Sequence, residues 1–259
     1  MSVDPDALDP PYLRGVRLPA ERVPEGGGFP FDLPCVEGLD LKFPTAVTFL
    51  VGENGSGKST LIEAIAEVAG LPASGGSKNE LPDRTGPLDH SELGRLLRPV
   101  FTQRPRDGYF FRSEHTAHFG ELLVRRNEDP DFRRFGDPFQ RYGGESLQHV
   151  SHGESFMAVL EGTGDGLLIF DEPEAALSPK RQLELLALLW GRVRSGRTQI
   201  VAATHSPILM TFPGATILSL DDGPPSPVTL QETEHCRLTR DILASPGSFW
   251  RHLRVIDDD

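Results

Sequence analysis

The sequence of 259 residues predicts an α/β fold with a mostly parallel sheet. Three observations lead to it. Short apolar strands alternate with helical patterns, the mark of crossover units. The run AVTFLVG (Ala46–Gly52) is apolar throughout, as a parallel strand buried on both faces is, and enters an amphipathic helix through a Gly-rich turn. The run GLLIFDE (Gly166–Glu172) is again apolar and ends in two carboxylates.

The elements follow in chain order. Residues 1–11, acidic and Pro-rich, read as a mobile arm. YLRGVRL (Tyr12–Leu18) alternates as a strand, ERVPEGGGFPFDLP is a loop, and GLDLKF (Gly38–Phe43) is a second strand. After AVTFLVG, Leu61, Ile62, Ile65, Ala66 and Ala69 recur at helical spacing, with Gly70 as the stop. SELGRLL is a short helix capped by Ser91, DGYFFRSE a strand, TAHFGELLVRRN helix-like, and DPDFRRFGDPFQRYGGE an arginine-rich loop. A helix begins near Gly153. The helix after GLLIFDE takes Ser178 as its cap and Pro179 at its first position. QIVAATHS and ATILSLDDG are strands, and TRDILAS and GSFWRHLRV are closing helices.

Composition bounds the function. Hydrophobic residues make up 37%, enough for a large core, and the formal net charge is −12. Such a charge repels phosphates at long range, which disfavours nucleic acid and anionic membranes as default partners. Only four residues are lysine: Lys42, Lys58, Lys78 and Lys180. Cys35 and Cys236 form no CxxC pair, so neither a disulfide framework nor a zinc site is expected. With no signal-peptide pattern and no long apolar run, the expected location is the cytoplasm.

GENGSGKST (Gly52–Thr60) fits G-x-x-x-x-G-K-[ST] at every fixed position, between a buried strand and a helix. Here Gly52, Asn54, Gly55, Ser56 and Gly57 turn backbone N–H groups toward phosphate oxygens, and the helix N-terminus adds partial positive charge. Lys58 reaches the β- and γ-phosphates, Ser59 supplies a hydroxyl to Mg²⁺, and Thr60 completes the loop. The fold is therefore expected to be that of a P-loop NTPase, binding ATP and Mg²⁺. Asp171 at the next strand tip can serve the metal, and Glu172 can take a proton from the attacking water. His205 ends VAATHSP, 34 residues after Asp171, room for one crossover helix. In a parallel sheet it emerges on the same edge, where it can hydrogen-bond a γ-phosphate.

A P-loop, a strand ending in Asp-Glu and a strand-end His together resemble the ABC-type ATPases in the broad sense that includes SMC- and RecF-type heads. That family carries a signature loop, L-S-G-G-Q or L-S-G-G-E, at a helix start before the carboxylate strand. VSHGE (Val150–Glu154) stands at that place, 20 residues ahead of Asp171, with His152 where glycine is usual. A plain N-cap with Glu154 in a capping box fits the same residues. The resemblance implies that Ser151 and Gly153 contact ATP bound on another subunit, in a head-to-tail homodimer formed on ATP binding.

DEPEAALSP, with DGYFFRSE, SHGESF, THSPIL and LTRDIL, looks more like the predicted AAA-type ATPases that share the ABC core without a transporter's membrane part. The implied architecture is one domain over residues 1–259. Its core covers about 12–78 and 165–235, with N-terminal antiparallel strands. A mainly helical signature subdomain is inserted over about 79–164, and the C-terminal helices cover about 237–255. The family's metal-side Gln has two candidates: Gln103, taken forward as a metal ligand, and the stretch Arg112–Glu114 after GYFF. Tyr12, Phe29 and Phe31 are candidates to stack on adenine. Catalytic roles fall to Glu172, His205 and Lys58. The alternatives are a nucleotide-switched assembly module and a DNA-maintenance ATPase, each with little turnover, and the motor of a transporter. An effector protein of unknown identity is expected, and DNA is not favoured.

Overall fold

The computed structural model describes residues 10–77, 90–112 and 151–253. Strands β1 to β10 are Leu13–Arg17, Asp40–Lys42, Val47–Val51, Gly76–Ser77, Arg98–Phe101, Gly108–Arg112, Gly166–Asp171, Thr198–Ala203, Thr216–Ser219 and Ser226–Val228. Helices α1 to α6 are Lys58–Ala69, Glu92–Leu96, His152–Gly162, Pro179–Val193, Glu234–Ala244 and Pro246–His252.

Seven strands form one sheet in the order β10-β9-β3-β8-β7-β6-β4. The five from β9 to β6 run parallel, and the edge strands β10 and β4 are antiparallel. Every residue of β3, β7 and β8 is buried, which is why these segments read as continuous apolar runs. Helices cover both faces. On one, Phe111, Phe156, Phe170, Leu185 and Leu189 share a cluster. On the other, Leu61, Ile62 and Ile65 of α1 pack with Leu50, Ile169 and Val201. A second, antiparallel sheet, β2-β1-β5, joins that cluster through Leu13, Val16 and Leu41.

The local signals hold where they rest on caps. Ser91 accepts from Gly94 N, and Ser178 from Arg181 N. Gly70 ends α1 with φ 78°. Three strands are new: β4, β5 and β10 have no unbroken apolar run, and β5 and β10 each contain a proline. The helix expected at TAHFGELLVRRN and the loop expected at DPDFRRFGDPFQRYGGE lie outside the described residues. Among the described residues, no helix is long and apolar enough to cross a membrane.

Candidate functional site

The parallel order brings three strand ends together. Strand β8 lies between β3 and β7, with Leu50 and Asp171 both in register with Ala203. The chain leaving β8 at Thr204 and His205 therefore emerges between the loop after β3 and the carboxylates after β7.

The loop turns at Gly57, the N-cap of α1, with φ 94°. A methyl group there would meet the buried Cys35 Sγ at 2.5 Å, so glycine is required twice over. Burial pushes the Cys35 thiol up, and it sits as a small apolar residue under the loop. Lys58 is buried and donates to the carbonyls of Gly52 (2.9 Å) and Glu53 (3.0 Å). Burial lowers its pKa, and Glu172, Asp221, Asp171 and Glu53 oppose that shift. Asp221 anchors the loop from β9, accepting from Glu53 N at 2.7 Å.

Ser59 Oγ donates to Asp171 Oδ1 at 3.2 Å. Burial raises the Asp171 carboxyl to about 6, while Arg112 and the Ser59 bond pull it down and Glu172 and Glu63 push it up. Arg112 pairs with Asp171 in the β6–β7 register, its Nε 3.9 Å from Asp171 Oδ2 and its Nη1 2.7 Å from Glu63 Oε1.

Gln103 is not brought here. It follows β5, and its neighbour Thr102 donates from N to Tyr12 O. The Tyr12 hydroxyl donates to Arg197 O, just ahead of β8. That is the opposite edge of the sheet, about 20 Å away along the six residues of β8. The reading of Gln103 as a metal ligand is therefore corrected: strand register puts Arg112 beside Asp171. Tyr12 is likewise removed from the adenine candidates. Phe29, 71% exposed, lines the open cleft over the loop with Leu33, Asn54, Lys58, Thr60 and Glu172. Phe31 packs against the core instead.

Glu172 has φ 48°, the one non-glycine residue with positive φ among those described. Its Oε1 lies 3.3 Å from His205 Nε2. The spacing is that of an ion pair, yet the angles make no hydrogen bond, and His205 Nε2 is buried without a hydrogen-bond partner. Glu174, two residues on, accepts from Thr204 Oγ1 (2.8 Å) and from His205 N (2.5 Å). It ties the Asp-Glu turn to the His-bearing turn. On its other ring nitrogen His205 meets His235 Nε2 at 2.7 Å. The sequence alone assigns no role to Glu174, Asp221 or His235. The first two stand at strand ends, a signal that could have found them, whereas His235 lies in a helix with none.

Ser151 caps α3 in a capping box with Glu154, and Arg181 pairs with that glutamate at 3.3 Å. Gly153 sits against the turn after Glu172: a methyl group on it would be 2.9 Å from Ala176 O. Ser151 is exposed, and its hydrogen bonds go to Glu154.

The residues suit ATP and Mg²⁺ on their own chemistry. Ser56 Oγ is buried within the loop with no partner, a donor left over for a phosphate oxygen. Ser59 and Asp171 pair a hydroxyl with a carboxylate, the hard oxygen donors that Mg²⁺ takes.

A sheet of this order with this loop and these carboxylates defines a P-loop NTPase. Known proteins narrow the class. A family profile described as "AAA domain, putative AbiEii toxin, Type IV TA system" matches residues 102–211, and one described as "AAA domain" matches 31–92. The chain is 30% identical to the cytochrome c biogenesis ATP-binding export protein CcmA of Rhodospirillum rubrum, over 79% of this chain and 93% of that protein. It is also 30% identical to the hemin import ATP-binding protein HmuV of Rhodopseudomonas palustris, over 81% and 83%. The SMC head domain from Thermotoga maritima is 18% identical, covers 84% of this chain and 98% of its own, and has a TM-score of 0.43. The chain belongs to the ABC-type ATP-binding proteins and is an ATP-hydrolysing enzyme.

Proposed function

We propose that two copies of this chain close head to tail around two ATP molecules, and that hydrolysis is completed only in that dimer. The observation that supports it is the seating of α3. Its exposed, capped N-terminus lies at Gly153 close against the turn that begins at Glu172, so the helix end and the carboxylate share one support. A helix N-terminus with an exposed serine at its cap suits a γ-phosphate held by a partner's loop, which would take the serine hydroxyl over from Glu154.

In this reading the whole chain is one ATPase domain, with core segments of about 12–78 and 165–235, an inserted signature subdomain of about 79–164 and C-terminal helices of about 237–255. Lys58 leaves its loop carbonyls to meet the β- and γ-phosphates. Ser59 and Asp171 would hold Mg²⁺, which would supply positive charge to the phosphoryl oxygens. Glu172 takes the proton of the water whose oxygen attacks the γ-phosphorus, and the bond to the β-phosphate oxygen breaks. His205 donates from Nε2 to the γ-phosphate. Phe29 offers its ring to adenine. Arg112, standing where the family has a Gln, balances Asp171 and Glu63.

The test is Glu172→Gln with ATP and Mg²⁺, followed by size exclusion with light scattering. An ATP-bound dimer that persists without turnover is expected, since the amide cannot take the proton. A Glu172→Gln protein that stays monomeric at saturating ATP rejects the sandwich.

A further inference from the structure

His205 Nδ1 and His235 Nε2 are 2.7 Å apart, with ring centroids at 4.5 Å and planes inclined by 63°. A contact that short between two nitrogens requires a proton on one and a lone pair on the other. Both rings are mostly covered, the side chains 21% and 24% exposed. The charged groups facing the pair come from two elements: Lys58 and Glu53 from the phosphate loop, and Glu172 and Glu174 from the turn after β7. Burial, with Lys58 and His235, holds His205 toward its neutral form, so one of its two nitrogens carries the single proton.

His235 is held firmly in place. Thr229 and Glu232 form a capping box on the 3₁₀ turn Leu230–Glu232, and the buried Thr233 donates to Leu230 O at 2.7 Å. Val228 and Leu230 anchor this entry against the main core cluster. Helix α5 thus opens with an imidazole fixed behind the strand-end histidine.

We propose that His235 is a positioning residue that donates from Nε2 to His205 Nδ1, and so keeps the His205 proton on Nε2, the atom that faces Glu172 and the γ-phosphate. The inference rests on the role given to His205 above. The opposite tautomer would turn a lone pair toward both the Glu172 carboxylate and the phosphate, two anions, and would remove the donor. It would also leave His235 to accept, with no second imidazole donor reaching the phosphate. The same contact links helix α5 to the nucleotide: a shift of α5 releases the tautomer.

The experiment reads the tautomer and the turnover separately. Protein labelled with ¹⁵N-histidine carries eight histidines. Long-range ¹H–¹⁵N spectra at pH 8 resolve which ring nitrogen is protonated, with His205→Gln and His235→Ala assigning the two signals. The expected wild type has His205 protonated on Nε2. His235→Ala should give a mixture of tautomers, and His235→Glu, which can only accept, should move the His205 proton to Nδ1. In turnover, His235→Ala should lower kcat by roughly tenfold to a hundredfold, with KM for ATP little changed. His235→Gln, whose amide can donate, should recover most of the loss. As the ring is partly exposed, both variants should fold, and circular dichroism checks this. A wild-type His205 protonated on Nδ1, or a tautomer unmoved in His235→Ala, overturns the proposal. Full turnover in His205→Ala would instead remove the role of His205, while the spectra still decide what His235 does.

Discussion

Asp171 carries its charge against its surroundings. Its carboxyl stands at about 6, against 3.8 in an ordinary setting. Between those values the folded chain holds a proton that the unfolded chain has released. Stability therefore falls as pH rises from about 4 through 6, and the full cost is present above that window. Asp171→Asn removes the cost. Without nucleotide and Mg²⁺, denaturant unfolding should show the variant gaining on wild type by about 2–3 kcal/mol between pH 4 and pH 7.5. A difference that does not change with pH would contradict this. Lys58 makes a second prediction. It already satisfies two loop carbonyls, and phosphates must draw it away from them. Lys58→Ala should weaken ATP binding by about a hundredfold by calorimetry, as a charge-assisted contact of about 3 kcal/mol is lost. Unchanged affinity would place the nucleotide elsewhere.

At the scale of elements, α3 and the turn after β7 work as a pair. Gly153 lets the first turn of α3 lie against Ala176 O. Gly153→Ala should push that end of the helix away. The same methyl favours the helix by up to about 1 kcal/mol, so the melting temperature should move by only a few degrees. Turnover should fall at least tenfold while ATP binding to the monomer is kept, as filter binding would show. Lost ATP binding would mean that α3 supports its own phosphate loop. Helix α4 has a different task. As the crossover from β7 to β8 it sets His205 on the edge of Asp171. Gln182, accepting from Ser206 Oγ at 2.5 Å and donating to Leu177 O at 3.1 Å, ties that helix to the turns at both strand ends.

At the scale of the molecule, no single chain holds both halves of the proposed site. Ser151→Arg should bind ATP normally and fail to dimerise, since the exposed serine gives way to bulk in the contact. Lys58→Ala should be inactive for the opposite reason. Mixed together, the two can form a heterodimer with one intact composite site: the phosphate loop of the first chain and the signature of the second. Phosphate release should appear in the mixture and be almost absent from either variant alone. Normal hydrolysis by Ser151→Arg, unchanged on dilution, would reduce VSHGE to an N-cap.

The phosphate loop, Asp171, Glu172 and His205 were legible in the sequence because each lies at the end of a fully buried strand, where an apolar run stops at polar residues. The caps at Ser91, Ser151 and Ser178 were legible because a cap acts within four residues. The parallel sheet was legible from the alternation of elements. Gln103 misled because its strand, β5, belongs to the other sheet, and only pairing with β1 decides which edge it faces. That Arg112 and not Gln103 stands beside Asp171 is set by β6–β7 register, a contact between segments about sixty residues apart. His235 was invisible for the same reason: its partner is thirty residues away, and nothing in a helix start announces a second imidazole. The sequence by itself determined that the fully buried segments β3, β7 and β8 become strands, and which residues end them. The tertiary structure decided which of those ends meet, because strand order and helix docking are set by packing between distant segments.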